Sequence, residues 1–86
     1  YAIIMYYVYI LWSSKWSKHY VGFTQDVLLR LEKHNSGGVK STKHGCPWVI
    51  KWYKAVSEDR GKAIQLERKI KKRGAKRYLE DLDAIE

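Results

Sequence analysis

The residue most open to a chemical reading is a carboxylate placed where a folded protein does not want one. Nine lysines and arginines lie between Arg60 and Arg77, and Glu67 is the one acid among them. At about 100° per residue, Ala63, Leu66, Ile70 and Ile64 share one apolar arc of a helix. Glu67 falls inside that arc, between Ile70 and Ile64. A carboxylate on a core-facing stripe is costly unless it is paired, hydrogen-bonded or bound to a metal. Two readings stand side by side: a structural ion pair with a neighbouring Arg or a rim position, or an anchor for Mg²⁺. That ion commonly takes one or two carboxylates, keeps several waters and is completed by substrate phosphate.

Arg30 and His34 stand four residues apart, so on a helix they share a face. Both sit at the edge of the arc formed by Val27, Leu31 and Leu28. An Arg there can clamp a phosphate through two parallel hydrogen bonds, or it can lay its stem over the core and keep its head in water. His34 can equally be a helix C-terminal cap. Tyr7, Tyr9 and Tyr20 fall on two neighbouring strands. Their default place is the core, but a phenol facing a metal and an Arg can hold or deprotonate a water.

The elements that must position these groups follow from patterning. Tyr6 to Trp12 is β-branched and aromatic, apolar on both faces, and predicts a buried central strand. His19 to Thr24 predicts a second strand, joined to the first by a loop of about six residues (Ser13 to Lys18) as an antiparallel hairpin. Thr24 or Asp26 caps a helix to about His34, ended by Asn35-Ser36-Gly37-Gly38. A polar loop holding His44 and Cys46 leads to a third strand, Trp48 to Val56. Ser57 then caps a second helix to about Arg73, with Glu58 and Asp59 in its first turn. A last helix runs from Ala75 to about Ala84. The order ββαβαα predicts an α+β fold: a small three-stranded antiparallel sheet flanked by helices, one domain over residues 1–86 with its core at about 5–82.

Charge narrows the partner. Seventeen basic residues against nine acids give a net charge of +8, and a block this dense attracts polyanions and releases their counterions. The bland alternative is a solvated helix face. Membrane binding is disfavoured, because the basic helix carries no Trp or Phe on its apolar side. The apolar run Tyr1 to Trp12 is about half of what spans a bilayer and lacks a basic leader, which predicts neither an anchor nor a signal peptide. Met5 is a candidate natural start. Cys46, the single cysteine, has no internal disulfide partner, and a thiolate zinc site would need several more. Cytoplasmic placement is the expectation.

Taken together, these residues resemble the GIY-YIG endonucleases. Tyr7-Val8-Tyr9 stands where the Gly-Ile-Tyr motif belongs, and Tyr20-Val21-Gly22 where Tyr-Ile-Gly belongs. Arg30, ten residues beyond Tyr20, matches the family arginine. His34 and Asn35 resemble the His-Asn pair that ends the first helix in small members, and Glu67 matches the metal-binding glutamate. The likeness runs from about Met5 to Leu82 and is greatest to the short stand-alone bacterial members. It implies a metal-dependent endonuclease that hydrolyses DNA phosphodiester bonds, in repair or recombination, with one Mg²⁺ or Mn²⁺. By position, Tyr20 would act as general base or water-orienting phenol, with Tyr9 helping to place the nucleophile. Arg30 would stabilise transition-state charge, His34 assist proton transfer, and Glu67 hold the metal. Lys33 and Lys40 would contact the DNA backbone, joined by Lys69, Lys71, Lys72 and Arg73 of the basic helix. One departure is Tyr7 in place of the motif's first Gly, which removes any close backbone approach there. A partner protein for target choice, and a monomer or weak dimer, complete the expected associations.

The competing reading is a non-catalytic nucleic-acid-binding module that uses the basic helix 58–73 for phosphates and Trp12, Trp16 or Trp48 for base stacking. There is no Gly-rich phosphate loop, His-Glu-x-x-His zinc motif or serine nucleophile elbow. His19, His34 and His44 are too scattered for a zinc site, and His44 with Cys46 reads as an incidental loop pair.

Overall fold

The computed structural model describes residues 4–84; Tyr1 to Ile3, which begin the apolar run, and the last two residues lie outside them. Strand β1 (Tyr6–Ser13) pairs antiparallel with β2 (Lys18–Thr24) on one side and with β3 (Trp48–Ser57) on the other, in the order β2-β1-β3. Helices α1 (Val27–Asn35), α2 (Arg60–Arg73) and α3 (Ala75–Ala84) complete the predicted ββαβαα order and the α+β class. Each strand of the hairpin extends one residue further than predicted, so the turn is Ser14 to Ser17.

The all-apolar stretch of β1 is central because both of its faces are covered. Val8 and Ile10, with Val21 of β2, pack against Ala63 and Ile70 of α2, and against Tyr78 and Leu79 of α3. On the opposite face, Tyr9 and Leu11 pack with Trp48, Val27 and Leu31, so α1 covers that side. The period-two alternation of a strand thus splits one apolar run between two thin cores.

Caps decide where the helices begin. Asp26 Oδ1 accepts from the Leu29 amide at 3.0 Å, which selects Asp26 over Thr24 as the α1 cap. For α2 the expectation is corrected. Ser57 remains in β3, with its hydroxyl accepting from the Asp59 amide at 3.0 Å. Asp59 is the cap, taking the Gly61 amide at 2.8 Å, and no acid lies in the first turn of α2. Gly74 ends α2 at φ 94°, a left-handed conformation that glycine adopts without a Cβ clash.

The segment between α1 and β3 is more ordered than the polar loop its composition suggests. A short 3₁₀ turn spans Lys43–Gly45, and the Ser13 hydroxyl donates to the Gly45 carbonyl at 2.6 Å. Asn35 clamps Trp48 twice, donating to its carbonyl at 3.0 Å and accepting from its amide at 2.6 Å. Among the described residues, no helix is long and apolar enough to cross a membrane.

Candidate active site

Residues facing each other across an antiparallel pair point to the same side of the sheet. Tyr9 faces Gly22, and Leu11 faces Tyr20, so the two phenol-bearing rings meet on the α1 side with centroids 6.4 Å apart. Gly22 makes room for this. A Cβ there would stand 2.5 Å from Tyr9 Oη, so the phenol lies flat over a backbone that only glycine leaves open. Gly22→Ala should therefore push Tyr9 from its place and cost about 1–3 kcal/mol of stability, the usual scale of overpacking. Urea unfolding reads the loss; an unchanged midpoint with Tyr9 undisplaced would contradict the close approach.

His34 is brought in by the last turn of α1. Its Nε2 lies 3.0 Å from Tyr9 Oη and its Nδ1 lies 2.7 Å from the Thr42 hydroxyl, with all three side chains buried. The Tyr20 ring meets it edge-on at 4.9 Å. Burial drives the His34 pKa down to about 4, and the positive charges of Arg30 and Lys33 push the same way. The ring is therefore neutral at pH 7. Burial also raises the Tyr9 phenol to about 12; Arg30 beside it pulls the other way, while Tyr20 and Glu67 add to the rise.

A histidine whose folded pKa lies below its unfolded value binds protons less readily when folded. Its contribution to stability is complete above about pH 6.5 and is lost as pH falls towards 4. The swing is at most about 3 kcal/mol. His19, whose pKa is also lowered by burial, then by Lys51 and Lys76, works in the same direction. The urea midpoint should fall with acidification across this window, and His34→Gln should flatten the fall. An equally steep fall in that variant would assign the effect elsewhere.

Val27 and Leu31 face the core as the arc requires, but Leu28 is 73% exposed; Arg30 is half-buried. Its Nε is buried with no hydrogen-bond partner among the described residues. Glu67 comes from α2, on the other face of the sheet, yet its negative charge reaches the Tyr9 phenol. Its side chain is only 14% exposed and pairs with Lys71 at 3.2 Å, one turn further along α2. The neighbour is thus a Lys and not the Arg that a structural ion pair suggested. Among the described residues, no group of three or more His, Cys, Asp or Glu could cage an ion. What the chain offers is one shielded carboxylate whose charge bears on the Tyr9 phenol, and a lone carboxylate suits Mg²⁺ that is completed by water and phosphate.

The expected DNA-contacting residues divide. Lys33 is exposed and lines a groove along α1 with Arg30, Leu29 and Thr24. Lys40, Lys69 and Lys72 are exposed. Lys71 is engaged with Glu67. Arg73 is turned towards α3, where Nε and Nη2 donate to the Asp81 carboxylate at 2.8 and 2.9 Å. This fork holds the Asp81 carboxyl below and the Arg73 guanidinium above their ordinary pKa values. Cys46 is not incidental either: its thiol donates to the His34 carbonyl at 3.1 Å. The residue that sequence patterning missed is Thr42, one hydroxyl in a polar loop with no periodic signal to mark it.

The model of the GIY-YIG catalytic domain matches residues 5–79, most of the chain. Neither curated proteins nor solved structures provide a significant match. The family match covers both motif strands, α1 and the whole of α2, the segments that carry Tyr9, Tyr20, Arg30, His34 and Glu67. The chain is therefore a member of the GIY-YIG family, and its function is of the nuclease type.

Proposed function

We propose that this protein is a metal-dependent endonuclease that hydrolyses DNA phosphodiester bonds, serving repair or recombination. The observation that carries the reading is Arg30: a half-buried guanidinium with an unpartnered Nε, beside the Tyr9 phenol and within the field of Glu67. A buried donor without a partner costs about 1–3 kcal/mol, a cost that a phosphate oxygen would relieve. Glu67 would hold the one Mg²⁺ or Mn²⁺ in place of its pair with Lys71. Bound there, the ion would supply charge stabilisation at the leaving oxygen.

The chain's own residues do the rest. Tyr20 orients the attacking water and takes part in removing its proton, with Tyr9 fixing the other side of the nucleophile. A new P–O bond forms to the water oxygen as the P–O bond to the leaving sugar oxygen breaks; the water's proton passes through the Tyr20 phenol to solvent, and the leaving oxygen takes its proton from solvent. Arg30 gathers the charge that builds on the phosphoryl oxygens. Lys33, Lys40, Lys69 and Lys72 hold the backbone through contacts that weaken with salt. A partner protein would supply target choice.

A labelled panel of plasmid, linear, flapped and single-stranded DNA, incubated with Mg²⁺, Mn²⁺ or chelator, tests the proposal. Metal-dependent cutting of at least one form is the expected result. Tight binding without cutting on every form would favour the binding module built on the basic helix.

A further inference from the structure

The chain of hydrogen bonds behind Tyr9 can be given a direction from its far end. The Thr42 hydroxyl can donate to the Val39 carbonyl, 3.3 Å away. With its hydrogen so committed, the same oxygen is the acceptor for His34 Nδ1 at 2.7 Å. The proton of the neutral ring then resides on Nδ1, which leaves Nε2 as a bare acceptor. Tyr9 Oη, 3.0 Å from Nε2, must be the donor of that bond. A phenol whose hydrogen points inward at His34 turns its oxygen lone pairs outward, towards Arg30 and the incoming water.

We propose that Thr42 is a positioning residue that fixes the His34 tautomer and so makes Tyr9 a hydrogen-bond acceptor on the reacting side. The opposite tautomer would carry its hydrogen on Nε2, donate it to Tyr9 and free the phenol hydrogen to point outward. It would also turn the Thr42 hydroxyl hydrogen from the Val39 carbonyl to Nδ1. Second-sphere partners fix the tautomer of working histidines in this way elsewhere. Thr42 is buried in its own right: its carbonyl accepts from Trp48 Nε1 at 2.9 Å, so the hydroxyl is held by the same loop that seats Trp48.

The proposal rests on the nuclease reading for its catalytic consequence, but its geometry is testable without cleavage. ¹⁵N-detected NMR of the His34 ring in the wild-type protein should show a protonated Nδ1, a pyridine-type Nε2 and a slowly exchanging Nδ1 proton. Thr42→Ser should preserve all three. Thr42→Val, similar in shape without the hydroxyl, should move the ring towards the Nε2-protonated form. In single-turnover cleavage it should lower the rate about tenfold or more with DNA affinity unchanged, while Thr42→Ser stays near wild type. A protonated Nε2 in the wild type would overturn the proposal even if Thr42→Val failed to fold. An unchanged tautomer in Thr42→Val would overturn it too. The expected tautomers in a protein that cuts no DNA would instead leave the positioning geometry intact and count against the nuclease reading.

Discussion

Glu67→Gln should abolish DNA cleavage, by about a thousandfold or more, while DNA binding stays within a few-fold of wild type. The substitution keeps the size of the side chain and its place beside Lys71 but removes the charge that anchors a divalent ion. Losing metal-borne stabilisation of a leaving oxygen is an effect of several kcal/mol, and each 1.36 kcal/mol is about tenfold in rate. Folding should persist, because the amide keeps the side chain's size and its oxygen can still accept from Lys71 where the carboxylate, 14% exposed, does so now. Removing one acid from a basic surface should, if anything, tighten phosphate contacts. Cleavage rates and gel-shift affinities measured on one DNA separate the two quantities; retention of cutting would reduce Glu67 to a structural partner of Lys71.

Arg30→Ala should slow cleavage by about 10²–10³-fold, the scale of removing one preorganised donor from developing charge. Arg30→Lys should restore little. A lysine retains the charge but not the planar fork, and the partnerless Nε in this structure is a guanidinium feature. Stability is measured alongside, because the Arg30 side chain also acts on the Tyr9 phenol through a hydrogen bond. The discriminating readout is kcat against KM: a loss confined to KM would make Arg30 an ordinary backbone contact.

Much of this arrangement is legible in the sequence because it breaks patterns there. Glu67 stands out as the one acid in a basic block and as a charge within an apolar arc; the structure finds it largely shielded at the sheet's far side. β1 declares itself central because both faces of Tyr6 to Trp12 are apolar, and the structure covers both. Boundaries are less legible. Ser57 and Asp59 are both good capping residues, and only the last rungs of β3 decide between them. The Thr42–His34–Tyr9 chain is hidden, since it depends on a loop folding back over eight residues to meet one ring nitrogen. The basic helix misleads in part: composition shows its charge, but only tertiary contact reveals that Arg73 is committed to Asp81. The role of Gly22 lies in between, marked by the motif and explained only once Tyr9 is seen above it.

One measurement bears most directly on the claim that a single divalent ion, held by Glu67 and a bound phosphate, serves this site. Mn²⁺ is titrated into the complex of the protein with a non-hydrolysable phosphorothioate DNA, and bound ion is read by water-proton relaxation. The account predicts one ion per complex, much weaker binding to the protein alone, and loss of that ion in Glu67→Gln. Equal Mn²⁺ uptake by the wild-type and Glu67→Gln complexes would contradict it.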